Sequence, residues 1–186
     1  MASPAPRRAT YNDLLSAPSH LVAEIIGGEL RTQPRPGGPH AAAASILGMV
    51  VGNPFHRGSG GPGGWVILDE PELHLDEDVL VPDLAGWRRE RMPAIPDTAA
   101  FNLAPDWICE VLSPSTEAID RTEKLPIYAR EKVAYVWLLN PRLQVLEAFA
   151  LDASGYRVLG VWHGEQAVRV PPFEAVEIEL GGLWAR

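Results

Sequence analysis

The stretch Trp107-Ile108-Cys109-Glu110-Val111-Leu112 decides how this chain is read. It is apolar enough for a central strand of a sheet, yet it carries a carboxylate. Side chains alternate across a strand, so Glu110 shares a face with Ile108 and Leu112, while Cys109 faces the other way. A carboxylate in such a place is costly unless a cation or hydrogen-bond donors meet it. Asp83 poses the same problem at the end of Val79-Leu80-Val81-Pro82. Two carboxylates on neighbouring strands repel each other, and a divalent cation relieves that repulsion. Taken singly, each could instead cap a strand end or pair with a surface arginine. Two on consecutive core strands, followed by Lys124, weaken that reading. Lys124 stands in Asp120-Arg121-Thr122-Glu123-Lys124-Leu125-Pro126. Pro126 suits the first turn of a helix, which predicts a helix starting near Lys124 or Leu125. By itself, Lys124 would read as a solvated surface lysine.

Working outward, Leu21 to Leu30 reads as a hairpin about Gly27-Gly28. Thr10 is placed to cap a short helix over Tyr11 to Ser16, with Asp13 near its positive end. A helix is predicted from His40 to about Val51. The glycine-rich segment Gly52 to Gly64 is predicted to be loop. WVILDEPELHL (65–75) and VLVPDLAGW (79–87) are predicted to be neighbours in one sheet, separated by an acidic turn. Ser113 to Lys132 contains a capping turn and a helix, and AYVWLLN (134–140) is a second apolar strand. A second hairpin is joined across Asp152 to Gly155, and an edge element follows near Ala175 to Leu180. The predicted class is α/β or α+β with one mixed central sheet flanked by helices. Residues 1–9 are expected to be a mobile lead, and 10–186 a single domain.

The 186 residues are 46% hydrophobic and 22% charged, as in an ordinary globular protein. No apolar run approaches the roughly 20 residues that span a membrane. The arginines near the N-terminus are followed by no apolar stretch, so no secretory signal is expected and the cytoplasm is the default location. The one cysteine, Cys109, excludes an intramolecular disulfide and a cysteine metal cage, and its position predicts an inert core thiol. The net charge of −8 counts against strong non-specific binding of nucleic acid, which rests on Lys and Arg at phosphates. It leaves room for a cleft in which basic residues are focused.

An ordered series of segments carries a resemblance. AEIIGGEL (23–30), Pro39-His40, VLVPDLAGW, DWICEVLSPST (106–116), the pair Asp120 and Lys124, KLPIYAR (124–130) and VWLLNP (136–141) follow one another over roughly residues 10–180. The series resembles the Uma-type restriction endonuclease family, a bacterial branch of the PD-(D/E)XK nuclease superfamily. The resemblance implies a restriction-endonuclease-like core with acidic ligands on central strands. It implies an Mg²⁺- or Mn²⁺-dependent endonuclease acting on nucleic acid, with DNA the expected substrate. Asp83 matches the motif aspartate, Glu110 the motif glutamate and Glu24 the upstream acid. Leu112 stands where E-x-K enzymes keep their lysine, and Lys124 is the candidate replacement. On this reading Asp83, Glu110 and the Val111 carbonyl hold the metal, and Lys124 supports the attacking water. Glu24 serves a second metal or a metal-bound water, and His40 orients Glu24, touches a phosphate, or is a helix-start histidine with a packing role.

Other residues read as structural. Tyr128 is expected to be a packed aromatic. His74, Asp76, Glu77 and Asp78 read as a solvated tip, and Trp65, Trp87, Trp107 and Trp137 as strand core. Pairing of two copies about a two-fold axis, as a homodimer, is expected. A catalytically quiet binding or assembly module on the same fold stays open, as does a metal-dependent hydrolase of a smaller phosphate ester.

Overall fold

The computed structural model describes residues 7–184. Helix α1 (Tyr11–Leu15) opens on a reciprocal capping box between Thr10 and Asp13. Strands β1 (Leu21–Ile26) and β2 (Glu29–Pro34) form the expected hairpin. Its turn needs left-handed backbone, which Gly27 and Gly28 supply at φ 61° and 83°. Helix α2 (Gly38–Val51) carries Pro39 in its first turn, where a missing N–H costs nothing. It ends at Val51 as expected, but the first part of the segment expected to be loop is not loop. A wide π turn over Gly52–His56 prolongs the helix, anchored by buried Phe55 and by the His56 ring, whose Nδ1 accepts from the Ile67 N–H at 2.9 Å.

Next come β3 (Trp65–Asp69), β4 (Glu72–Leu75), β5 (Asp78–Leu80) and β6 (Leu84–Arg88). The two runs expected to pair in one sheet do pair, but each is broken in two and the halves join different sheets. β3 pairs with β6, and β4 with β5, both antiparallel. The breaks fall at Pro71 and Pro82, which cannot donate to a ladder, and Glu70 takes a left-handed φ of 43°. The Glu70 N–H donates to the Asp83 carbonyl at 3.1 Å, tying the two breaks together. Asp83 thus sits at a crossing between sheets.

The chain continues through β7 (Ala100–Phe101) and β8 (Trp107–Val111) into α3 (Glu117–Ile119) and α4 (Leu125–Arg130). A π turn over Asp120–Lys124 fuses the two helices, with the Leu125 N–H reaching back to the Asp120 carbonyl. Helix α4 thus starts at Leu125 with Pro126 in its first turn, as expected. Pro126 begins the second half of a helical run that opens at Glu117, and Lys124 lies inside that run. The run is the crossover from β8 to β9 (Tyr135–Asn140), which pair in parallel. Strands β10 (Val145–Asp152) and β11 (Gly155–His163) make the second hairpin, and β12 (Ala167–Val168) pairs with β13 (Ile178–Glu179).

The fold is mixed α+β. The central six-stranded sheet runs β11-β10-β9-β8-β6-β3 and is antiparallel apart from β8–β9. One face packs α2 and the C-terminal segment around Leu47, Trp107, Trp137 and Phe173. The other buries Ile108 and Leu138 against Tyr128 of α4 and against Leu73 and Leu80 of a five-stranded sheet, β2-β1-β5-β4-β7. No described helix is long and apolar enough to cross a membrane.

Two smaller expectations change. Of the lead expected to be mobile, residues 1–6 lie outside the described residues, whereas Arg7 pairs with Asp13, Arg8 with Glu77, and the Ala9 N–H with the Gly28 carbonyl. The tip at 74–78 is not wholly solvated. Asp78 is buried because it accepts from the Gly27 N–H at 2.6 Å and from Arg130 at 2.9 Å.

Candidate active site

Glu110 lies on β8 between β6 and β9, on the face it shares with Ile108. Leu84 pairs with Cys109 in the antiparallel register, so Asp83 falls beside Glu110 where the two strands end. Asp83 Oδ2 accepts from the Val111 N–H at 2.7 Å. The Glu110 carboxylate takes two donors on Oε1, the Tyr128 hydroxyl and the Lys124 ammonium, the latter at 3.4 Å. The π turn aims Lys124 inward, where Nζ also meets Glu24 Oε1 at 2.9 Å and Asp120 Oδ1 at 3.3 Å. Glu24, projecting from β1, accepts from the Val81 N–H at 2.8 Å on that same oxygen. His40, in the first turn of α2, brings Nε2 to 3.4 Å from Asp83 Oδ1.

Four carboxylates, Glu24, Asp83, Glu110 and Asp120, are therefore gathered here, all but Asp83 paired with one ammonium. Three of them and the lysine have side chains no more than 4% exposed. Burial dominates the electrostatics. It lifts the Asp83 pKa to about 7, with the Val111 N–H and Lys124 opposing the rise. Burial also raises Glu110 well above the ordinary carboxylate range, again against the pull of Lys124. On Lys124 burial works downward, but the charges of Glu110, Glu24 and Asp120 outweigh it and keep the ammonium protonated. Burial lowers His40, so its ring is neutral at pH 7, and its Nδ1 is sealed without a hydrogen-bond partner among the described residues.

These groups form the floor of a cleft. Arg35, Pro36, Ser113, Ser115, Thr116 and Glu70 line it with them. Among the described residues, no three His, Cys, Asp or Glu side chains are grouped in the geometry of a metal cluster. The donor set nonetheless fits a hard divalent cation. Its ligating atoms are carboxylate oxygens with the Val111 carbonyl alongside, and its acids outnumber its cations.

A family model described as "Putative restriction endonuclease", Uma2, matches residues 8–181. The chain belongs to the Uma2 family. The crystal structure of "a putative nuclease belonging to DUF820" from Anabaena variabilis superposes on it with a TM-score of 0.74 at 22% identity, over 95% of this chain and 97% of that one. That likeness establishes the shared fold. No curated protein matches the chain.

In this Uma2 chain the residues singled out from sequence, Glu24, His40, Asp83, Glu110, Val111 and Lys124, all come together. His40, carried in the first turn of α2, meets Asp83 and not Glu24. Sequence reasoning missed Tyr128, Asp120 and Glu70 as members of the cluster. Asp120, Lys124 and Tyr128 recur every four residues, and that stripe on one helical face was the available signal. Glu70 had none, since it arrives through a strand break.

Proposed function

We propose that the chain is a divalent-cation-dependent nuclease that hydrolyses phosphodiester bonds in this cleft. The observation that carries the reading is the surplus of buried carboxylate, with Asp83 and Glu110 side by side at the ends of β6 and β8 and Lys124 fixed against Glu110. Such a group of buried acids favours added positive charge, which a divalent cation would supply.

Asp83 Oδ1, Glu110 Oε2 and the Val111 carbonyl are the atoms that would hold Mg²⁺ or Mn²⁺, since the other carboxylate oxygens already accept hydrogen bonds. When bound, the cation supplies Lewis acidity toward the phosphate and a lowered pKa for the attacking water. Lys124 keeps its charge and its position through three carboxylates, so it meets negative charge growing on the phosphate without reorganising. Glu24 Oε1 takes the Val81 N–H and the Lys124 ammonium, so Glu24 anchors Lys124. His40 positions Asp83. Nucleic acid, with DNA first, is the substrate class that the family description supports.

The quiet-module reading draws on one observation, that Lys124 partly neutralises the cluster with no metal. Incubation of single- and double-stranded DNA and RNA with Mg²⁺, Mn²⁺ or EDTA separates the two. Metal-dependent cleavage that Asp83→Asn and Glu110→Gln abolish is the expected result. Cleavage at parental rates by both variants would remove the site, and no cleavage by the parent would leave the module or a hydrolase of a smaller phosphate ester.

A further inference from the structure

We propose that the cleft takes an unpaired nucleic-acid strand, not an intact duplex, and that Arg35 grips one phosphate of that strand at the rim. The inference rests on the nuclease reading above and names the substrate form for the same site.

The reacting groups lie below the surface. Side-chain exposure falls from 14% at Asp83 and 13% at His40 to 3% at Glu110 and 2% at Lys124. A scissile phosphate must descend past the cleft lining to reach them, and that lining is stiff on three stretches of chain. On the first, Pro34 and Pro36 flank Arg35 and fix the backbone as it enters α2. On the second, Ser113 Oγ is hydrogen-bonded to Ser115 Oγ at 2.9 Å and to Thr116 Oγ1 at 3.0 Å, which ties the turn to itself. On the third, the Glu70 N–H is bonded to the Asp83 carbonyl. A duplex holds its phosphates on a stiff convex surface, flanked by neighbouring charge at about 1.7 Å per charge along the axis. A single strand can bend one phosphate inward and turn its bases away.

Charge points the same way. Among the described residues lining the cleft, the Lys and Arg side chains are Lys124, committed to three carboxylates, and Arg35. Arg35, its side chain 59% exposed, forms only a solvent-weakened ion pair with Glu70 Oε2 at 3.6 Å. It is free to turn onto a phosphate, and its proline neighbours limit the entropy lost in doing so. One rim arginine on a protein of net charge −8 suits a strand held at few phosphates, not a duplex held at many.

The test offers one sequence to the full-length protein with Mg²⁺ in three forms: as a single strand, as a complete duplex, and as a duplex with a central unpaired bubble. The single strand and the bubble should be cut, the latter within its unpaired region, and the complete duplex at least about tenfold more slowly. Arg35→Ala should raise KM for the single strand more than it lowers kcat, and should reduce the salt dependence of binding by roughly one phosphate contact. Arg35→Lys should restore most of that salt dependence. Duplex cut as fast as single strand, or a KM and salt slope that Arg35→Ala leaves at parental values, overturns the inference while the nuclease reading stands. No cleavage of any form by the parent overturns both.

Discussion

Lys124 Nζ lies 2.9 Å from Glu24 Oε1, both side chains sealed from solvent, and the pair joins the π turn of the crossover to the first strand of the second sheet. Glu110 and Asp120 share the same ammonium, so the lysine is the counter-charge of a buried acidic cluster before any substrate arrives.

Lys124→Met should therefore destabilise the fold heavily. Removing one partner of a buried ion pair costs about 3–5 kcal/mol, because the other charges stay buried and unpaired. Glu24→Gln should cost clearly less, since it removes an acid from a cluster that holds too many. Urea denaturation of both variants against the parent checks the order, and a larger loss in Glu24→Gln would show that the cluster is not short of positive charge.

Asp83 should make the metal-free protein less stable as pH rises. Its pKa is about 7 in the folded protein against an ordinary value of 3.8. The folded state thus holds a proton that the unfolded chain releases. The stability from that proton is fully present below about pH 4 and is lost as pH climbs through about 7. Melting temperatures in EDTA from pH 4 to pH 8 should show the parent falling relative to Asp83→Asn. A constant difference between the two across that window would contradict the buried, protonatable Asp83.

Tyr128→Phe tests the hydroxyl that donates to Glu110. A hydrogen bond to a buried charged group contributes about 1.5–3 kcal/mol, and its loss leaves Glu110 leaning on Lys124 alone. The variant should be less stable by that order in urea and should lower kcat more than it raises KM, because Glu110 is displaced from the cation and not from the substrate. An effect on stability alone would make Tyr128 a packing residue, as its sequence context suggested.

Much of this was legible beforehand, for reasons that differ by residue. Glu110 and Asp83 stood out because a carboxylate in an apolar strand demands a partner, and that demand is visible in one dimension. The Gly27-Gly28 hairpin was legible because its turn needs left-handed backbone. The division of 65–75 and 79–87 between two sheets was not, because each run is apolar on both sides of its break and only Pro71 and Pro82 mark the place. The start of α4 at Leu125 was legible because Pro126 suits a first turn, whereas the π turn over Asp120–Lys124 that fuses it to α3 leaves no periodic trace. Tyr128 was hidden for another reason: a buried aromatic is ordinarily core, and its hydroxyl's partner lies on a different element.

The most direct test is a thermal melt of the parent and Asp83→Asn, each in EDTA and in millimolar Mn²⁺. A cation that binds only the folded state stabilises it by about 2.7 kcal/mol at a hundredfold excess over its Kd. In a domain of this size each kcal/mol moves Tm by roughly 2–4 °C, so the parent should rise by about 5–10 °C. Asp83→Asn should melt higher than the parent in EDTA at pH 8, because it carries less buried charge, and should gain little from Mn²⁺. Equal gains in the two proteins, or an Asp83→Asn variant that melts lower in EDTA and neither protein responding to the metal, would contradict a cation site built on Asp83 and Glu110.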